Sequence, residues 1–371
     1  MYMRYGLLIS MLLVLLSCGA AQSQDFGWPP GEPLAKPDTL SFYIVGDIMS
    51  HGAQTKSAFR SGQANYSTFF QHLESRLQGA DAAIGNMEFP LAGKPYSGYP
   101  AFSGPDEYAR YLSEVGFDIL LTANNHILDK GSAGLERTLE RLDSLPVLHT
   151  GCAREDSLLK PLILNLKGVR IGIINFTYGT NLGPTRKTPV VAHLKEAEMQ
   201  RLLDGCQGAD LVFAFPHWGT EYRSVHSASE EATARWLVKE GVDLIVGTHP
   251  HVVQDCTLLE GVPVFYSLGN AVSNQNDLPA RLELGLKVRV VSAFGEAPRL
   301  LDVQAEYLWC TKPGMLEPSY ATIPVKDFIG RREAWKVPQD YDNMLRTYQA
   351  VQDATGVTDG LCLTVRPIPI D

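Results

Sequence analysis

The sequence contains no run of lysine or arginine, no low-complexity tract and no repeat at the spacing of a solenoid. Its formal net charge is −9 over 371 residues, whereas a protein that binds nucleic acid normally presents a basic face. These absences argue against a nucleic-acid partner and against a repeat architecture. With 45% hydrophobic residues, the chain has enough apolar content for one large core or two moderate ones.

Cysteine is also scarce, because the 6 cysteines are scattered and form no CxxC pair. This spacing indicates neither a zinc–thiolate site nor a dense disulfide framework. We expect the five cysteines that follow Cys18 to be mostly small buried hydrophobic residues. One or two disulfides stay open as an alternative in an oxidising compartment.

The N-terminus carries an apolar run from Gly6 to Leu16 that follows a single arginine. The run is too short for a membrane span and is typical of a secretory signal. The letters "LLSC" resemble a bacterial lipobox, which would make Cys18 the lipidated first residue; ordinary cleavage near Ala20 or Ala21 is the alternative. We therefore predict a signal peptide over 1–18, a proline-rich tether over 19–39, and a lipoprotein on the periplasmic or outer side of a membrane.

From residue 40 onward, short apolar runs such as "FYIVG" and "FAFP" alternate with amphipathic stretches. Continuous apolar strands between helices predict an α/β protein with a covered sheet. The predicted helices fall within 105–116, 132–144, 196–206 and 227–241. After Arg281 the pattern partly alternates, which predicts antiparallel strands. A polar helix over 338–356 follows, so the predicted domain covers 40–330 and a C-terminal helix and tail cover 331–371.

Residues that can bind a metal or transfer a proton follow nearly every apolar run. They are Asp47, Asn86, Glu88, Asn125, His126, His217, His249, His251 and Asn270. Ligands of open α/β sheets bind at the carboxyl ends of the strands, where side chains from separate strands converge. Oxygen and imidazole donors without cysteine suit Mn, Zn, Fe or Mg. Taken singly, some of these residues could have purely structural roles: Asp47 could cap a helix, and His217 could be a packed core histidine.

The pair His249 and His251 gives the strongest signal. Pro250 biases His249 toward an extended backbone, and residues two apart in an extended chain point to the same side. Both imidazoles can then address one centre. Two ions bridged by a carboxylate would activate a water molecule and stabilise both oxygens of a phosphoryl displacement. The other histidines with no such setting are expected at the surface or in packing: His72, His149, His193 and His226.

The motifs together resemble those of the CapA family of bacterial capsule-synthesis, or poly-γ-glutamate biosynthesis, proteins. They are "GDIM", "GNMEFPL", "TANNHILDKGSAGLERTL", "GCA", "HWGTEY", "GVDLIVGTHPHVVQ" and "YSLGNAVSNQ", in order between Leu40 and Gln275. This family is related to the calcineurin-like metallophosphoesterases. The resemblance implies a four-layer αββα sandwich of the metallophosphoesterase type with a centre of two divalent metal ions.

The same resemblance implies a role for each residue of the motifs. Glu88 would be the bridging carboxylate; one ion would also be held by Asn125, His217 and His249, and the other by Asp47 and His251. His126 would be the general acid, oriented by Asp129. Further contacts to the ligands or the substrate would come from Asn86, Glu221, Tyr222 and Asn270.

Three positions depart from a related pattern. Metallophosphoesterases usually carry histidine where this chain has Met49, and a thioether is a poor ligand for a hard cation. His51 lies two residues further on and is a candidate substitute. Glu88 stands where those enzymes use aspartate. Met49 and Glu88 are shared with the CapA pattern, whereas Cys152 replaces the alanine that is typical of that family.

Three functions are compatible with these residues. The first is an envelope-anchored, metal-dependent hydrolase that acts on a phosphate ester or amide of an anionic envelope polymer. The second is a polymer-binding or export component of capsule synthesis that works with a polymer synthase and catalyses nothing. The third is a solute-binding lipoprotein without metal, in which the histidines are structural.

Overall fold

The computed structural model describes residues 38–292 and 296–364. The predicted signal peptide, Cys18 and the tether up to residue 37 lie outside these ranges. Within them, no helix is long and apolar enough to cross a membrane. Among the described cysteines, Cys152, Cys206 and Cys310 are buried, as expected for small hydrophobic residues, and all five are free thiols.

The first sheet has eight strands and is parallel in one half only. Its strands are β1 (Asp38–Ile48), β2 (Ala82–Met87), β3 (Ile119–Leu121), β4 (Leu148–Thr150), β13 (Leu282–Ser292), β14 (Arg299–Thr311), β15 (Ala321–Pro324) and β16 (Cys362–Thr364). The order is β15-β14-β13-β1-β2-β3-β4, and β16 also pairs with β14. Strands β1 to β4 run parallel to one another, whereas β13 and the strands beyond it are antiparallel.

The second sheet has six strands, and four of them are parallel. Its strands are β6 (Leu162–Leu166), β7 (Val169–Thr177), β9 (Leu211–His217), β10 (Leu244–Val246), β11 (Cys256–Leu259) and β12 (Val262–Phe265). The order is β11-β12-β10-β9-β7-β6, with antiparallel strands only at the two edges. A small antiparallel pair joins β5 (Cys152–Ala153) and β8 (Val190–Val191).

The two large sheets pack face to face through one apolar core. Phe42 of the first sheet meets Phe213 of the second edge to face, with ring centroids 5.4 Å apart. Such aromatic pairs stabilise a core beyond the area that they bury. Both faces of the parallel strands are covered, which explains why their sequences are continuously apolar rather than alternating.

Helices cover the outer faces of both sheets. They are α1 (Gly52–Ala58), α2 (Glu74–Gly79), α3 (Asp106–Val115), α4 (Gly131–Asp143), α5 (Glu196–Asp204), α6 (Ala228–Lys239), α7 (Val325–Phe328) and α8 (Pro338–Thr355). The last two, α7 and α8, contribute to the core between the sheets. Side chains of α2 and α3 pack on the outer face of the first sheet, and those of α5 and α6 pack on the second. The structure therefore confirms the predicted α/β fold with four αββα layers.

The longer helices were well predicted because they carry both amphipathic spacing and end signals. In α6, the Ser227 hydroxyl accepts the Glu230 backbone N–H, and the Glu230 carboxylate accepts that of Ser227, which forms a capping box. Gly116 ends α3 with φ 118°, in the left-handed region that glycine tolerates best. Short elements such as β4, β11 and α1 were not predicted, since they carry too few residues for a periodic signal.

Helix α8 belongs to the same core as the two sheets. Its Met344 and Val351 are buried in that core together with Tyr307 of β14. Asp340 in its first turn is almost fully buried, and its Oδ2 accepts a hydrogen bond of 2.9 Å from Arg281 Nη2. The C-terminal helix, predicted to follow a domain that ends at residue 330, therefore packs in the same core as that domain.

Replacement of Asp340 by asparagine tests this buried ion pair. The Arg281 guanidinium would stay buried without its counter-charge, which should lower the free energy of unfolding by about 3–5 kcal/mol. Urea unfolding followed by circular dichroism measures the change. The matched control is Asp342→Asn, because Asp342 pairs with Arg332 at the surface; equal effects of the two variants would contradict the prediction.

Candidate metal centre

The predicted site residues meet at the carboxyl ends of parallel strands from both sheets. Asp47 lies near the end of β1, and His217 is the last residue of β9. Glu88 directly follows β2, and the turns after β3 and β10 carry the remaining predicted metal ligands. Those ligands are Asn125, His249 and His251, all of them buried. The arrangement is the one expected for a ligand site of an α/β sheet.

Glu88 occupies the middle of this group. Its Oε1 lies 3.7 Å from Nε2 of His217 and 3.7 Å from Nε2 of His251. The side chain is fully buried, and neither carboxylate oxygen has a hydrogen-bond partner among the described residues. Since a buried ionised carboxylate without a partner is costly, these atoms fit a bound cation well.

His217 joins Glu88 to Asn125. Its Nε2 lies 3.0 Å from Oδ1 of Asn125, while its Nδ1 lies 3.0 Å from the hydroxyl of Thr248. A histidine that binds metal through one ring nitrogen commonly uses the other for a hydrogen bond that fixes the ring. Thr248 is therefore the orienting partner of His217, a role that no sequence motif indicated.

Asp47 and His251 form the other side of the group. His251 Nδ1 lies 3.4 Å from Asp47 Oδ2 and 3.0 Å from Asn270 Oδ1. Asn86 donates a 2.7 Å hydrogen bond to Asp47 Oδ1. The predicted helpers Asn86 and Asn270 therefore touch the ligands directly and hold them in place.

The potential ligand atoms fall into groups whose members lie within 4.8 Å of one another. One group is Glu88, His217 and His249, and a second is Asp47, Glu88 and His251. Glu88 is common to both, so the described donors provide two adjacent positions around one shared carboxylate. Their oxygen and imidazole chemistry suits divalent ions.

Burial and the neighbouring charges shift the pKa values of these groups in opposite directions. Burial and the charge of Asp47 raise the pKa of Glu88 well above its usual range. Burial alone would also raise the pKa of Asp47, but His251, His217 and Asn86 together outweigh it and hold this pKa below its usual range. Burial lowers the pKa of His249 to about 3. The imidazole of His249 is therefore neutral near pH 7, which is the state that binds metal.

The backbone around Pro250 differs from our prediction. His249 has φ 101° and His251 has φ 60°, so neither is extended. Left-handed backbone at a residue other than glycine costs about 1–3 kcal/mol and is concentrated at functional sites. The two rings still face the same centre, with centroids 5.9 Å apart. A tight turn rather than an extended segment brings the two rings together. Asp47 Oδ2 stabilises this turn by accepting the His249 backbone N–H at 3.1 Å.

The predicted acid His126 and its predicted partner Asp129 lie in contact. Nδ1 of His126 lies 2.7 Å from Oδ2 of Asp129, and the same oxygen accepts the Phe102 backbone N–H at 2.8 Å. Asp129 is thereby fixed, and its contact leaves His126 Nε2 as the ring nitrogen available to a substrate. His126 and His251 line one cleft of about 240 Å³. Asn181, which the sequence did not indicate, lies 3.2 Å from His126 Nδ1.

Met49 is buried beside this cleft, and His51 does not replace the missing ligand. Nδ1 of His51 lies 3.1 Å from Gln54 Oε1 and 3.3 Å from the backbone nitrogen of Asn274. Among the described residues, His51 belongs to none of the potential ligand groups. The side chain of His51 is therefore engaged in local hydrogen bonds of the described structure rather than in the metal centre.

The mouth of the site carries exposed side chains. The predicted contacts Glu221 and Tyr222 are both exposed there, and the Tyr222 ring lies 6.2 Å from that of His251. Tyr178, which we did not predict, lies 4.7 Å from the His249 ring. It directly follows β7, so the rule that polar residues follow apolar runs could have identified it.

Residues 41–275 match the family described as bacterial capsule synthesis protein PGA_cap. The chain belongs to this family. It is 31% identical over 252 residues to capsule biosynthesis protein CapA of Bacillus anthracis, and 30% identical over 247 residues to PGA biosynthesis protein CapA of Bacillus subtilis. Each alignment covers 64% of this chain, and it spans 61% of the first relative and 64% of the second.

Solved structures of phosphatases are more distant from this PGA_cap protein. A phosphatase from Mycoplasma pneumoniae aligns with a TM-score of 0.47 and 15% identity over 74% of this chain and 94% of its own. A 5'-nucleotidase from Candida albicans aligns with a TM-score of 0.44 and 13% identity over 84% of this chain and 58% of its own. The four αββα layers are established by the strand order and packing of this chain itself.

Replacement of Glu88 by glutamine should stabilise the metal-free protein at neutral pH. The raised pKa of Glu88 means that the folded state loses stability as pH rises above the unfolded value of about 4.3. Glutamine removes that loss. In the presence of a chelator at pH 8, the free energy of unfolding of Glu88→Gln should therefore exceed that of wild type by about 1–3 kcal/mol. The gain should shrink toward pH 5 in urea unfolding.

Added Mn²⁺ should reverse this order, because wild type gains binding energy that the variant lacks. Glu240→Gln is the matched control, since Glu240 is exposed at the end of α6. If metal-free Glu88→Gln is less stable than metal-free wild type across the whole pH range, protein contacts alone hold the carboxylate.

Proposed function

We propose that this protein is a metal-dependent hydrolase of the phosphoesterase type that acts in capsule or poly-γ-glutamate biosynthesis at the cell envelope. The observation that carries the proposal is the buried Glu88 carboxylate, which has no hydrogen-bond partner among described residues and is surrounded by histidines. The His126–Asp129 pair beside it provides an acid for a leaving group. The proposed substrate is a phosphate ester or amide of an anionic envelope polymer.

Each ion would be held by residues that already lie together. Glu88 would be shared; Asn125, His217 and His249 would complete one position, and Asp47 and His251 the other. When bound, the two ions supply a water with a lowered pKa and charge stabilisation for the oxygens of the displacement. The donor atoms suit Mn, Zn, Fe or Mg and do not distinguish among these metals.

The protein's own contribution to proton transfer is the orientation of His126. Asp129 accepts the Nδ1–H, which keeps the proton of that nitrogen away from the cleft. A protonated Nε2 then faces a leaving oxygen. Because Phe102 also fixes Asp129, the pair has one orientation.

Met49 favours a second candidate, a polymer-binding or export component that works with a polymer synthase. The buried thioether leaves the position around Asp47 and His251 with fewer hard donors than the other. A metal centre that binds polymer carboxylates without cleaving anything needs no acid. The two candidates therefore differ in what His126 does, whereas a solute-binding lipoprotein would contain no metal at all.

Replacement of His126 by alanine separates these candidates. With p-nitrophenyl phosphate and Mn²⁺, we expect kcat/KM to fall by about 10²–10⁴-fold because the general acid is lost. Metal content, measured by elemental analysis, and the thermal melt should stay unchanged. His226→Ala is the matched control, since His226 has a similar carboxylate contact, to Asp255 at 2.8 Å, but does not line the cleft.

Several outcomes would contradict the hydrolase. A wild-type protein that binds Mn²⁺ but hydrolyses no phosphoester, together with normal polymer display in a His126→Ala strain, would favour the binding component. A purified protein without transition metal that also binds no Mn²⁺ would favour the solute-binding alternative. Equal losses of kcat/KM in His126→Ala and His226→Ala would contradict the role of His126 as the acid in the cleft.

The envelope location rests on the N-terminal segment, and we propose a lipid anchor on Cys18. Cys18→Ser should move most of the protein from the membrane pellet to the soluble fraction, because acylation provides the attachment. Cys362→Ser, at an exposed cysteine, is the control. A mature N-terminus after Ala20 or Ala21, with the same fractionation in both variants, would instead show ordinary signal cleavage.

A further inference from the structure

We propose that Glu221 is a metal ligand that enters the centre from its open side and serves the ion held by His251. This inference rests on the metal centre of the proposed function and adds a donor to it. The carboxylate of Glu221 and one ring nitrogen each of His249 and His251 lie within 4.8 Å of one another. Donor atoms at that separation can share one ion.

The backbone holds Glu221 in this place. Its neighbour Tyr222 donates its N–H to the carbonyl of Pro250 at 2.8 Å, between the two histidines. At the start of the segment, Trp218 donates to the carbonyl of Thr248 at 3.0 Å. Residues 218–222 therefore run along the turn that carries both imidazoles, and the position of Glu221 does not depend on its own side chain.

The donor count indicates which ion Glu221 serves. The position around His217 has four donor residues, which include Asn125 and Glu88. The position around His251 has three, because only Glu88 and Asp47 join His251 there. Glu221, Met49 and His251 line the same cleft. A carboxylate from the open side would supply the hard donor that the Met49 thioether does not.

The charge of Glu221 supports the same conclusion. None of the described residues that line the cleft is a lysine or an arginine, so no lysine or arginine of the cleft neutralises this carboxylate. A free carboxylate there would repel an anionic substrate. Nδ1 of the almost fully buried His249, which shares a ligand group with Glu221, has no hydrogen-bond partner among the described residues, which is a second, independent sign that a cation binds in this centre.

Metal titration tests the proposal without reference to activity. Metal-free wild type and Glu221→Gln are titrated with Mn²⁺ by calorimetry, and free Mn²⁺ is followed by electron paramagnetic resonance. We expect the weaker of two Mn²⁺ affinities to fall by at least about 10-fold in the variant, while the tighter affinity stays unchanged. Because Glu221 is exposed, the fold should be retained, and circular dichroism verifies this.

Asp277→Asn is the matched control for a general charge effect. Asp277 is exposed and near enough for its charge to contribute to the raised pKa of Tyr222, but it belongs to none of the ligand groups. It should leave both Mn²⁺ affinities unchanged. In about 1 M salt, where the screening length is about 3 Å, the loss in Glu221→Gln should persist if the contact is direct.

The outcomes separate this inference from the proposed function. Two unchanged Mn²⁺ affinities in Glu221→Gln, with wild type binding two ions, would overturn the role of Glu221 and leave the metal centre standing. A loss that disappears in high salt or is equally large in Asp277→Asn would also overturn it. Failure of wild type to bind any Mn²⁺ would remove the proposed centre itself, and Glu221 with it.

Discussion

The site depends on one constraint, the burial of the Glu88 carboxylate without a hydrogen-bond donor among the described residues. An unpaired buried charge costs several kcal/mol, so a carboxyl group in this setting either keeps its proton or meets a cation. The surrounding imidazoles do not solve the problem by themselves, because burial lowers the pKa of both His217 and His249. Neutral imidazoles beside a carboxylate are stable together when a divalent ion lies between them.

The face-to-face packing of the two sheets creates this arrangement. The first sheet provides the oxygen donors Asp47, Glu88 and Asn125, and the second provides the three imidazoles. Neither sheet carries a complete set of candidate ligands, so such a set forms only where the carboxyl ends of both sheets meet. The apolar core between the sheets, including the contact of Phe42 with Phe213, therefore fixes the distances between donors as well as the stability of the fold.

The sequence predicted the fold class and the residues that converge, because both follow from apolar runs that end in polar side chains. It could not predict the local backbone, and the extended segment expected around Pro250 was wrong. The left-handed conformations of His249 and His251 depend on partners far along the chain, including the carboxylate of Asp47. Asn181 was missed for a similar reason, since tertiary packing of its loop places it near His126. Tyr178, by contrast, directly follows β7, and the pattern of apolar runs could have identified it.

Met49 is a poor metal ligand, but the geometry of the site makes it compatible with a catalytic centre. At the position of His251, where Glu221 would add a donor from the open side, fewer protein donors would weaken the hold on an ion, but they would also leave coordination positions free on the side of the cleft. Catalytic metal sites differ from structural ones in keeping such a position for water or substrate. His126 lines the same cleft, with its Nδ1 held by Asp129. A poor ligand at residue 49 is therefore compatible with the proposed hydrolysis, because the opening that it leaves lies on the side of the cleft that His126 lines.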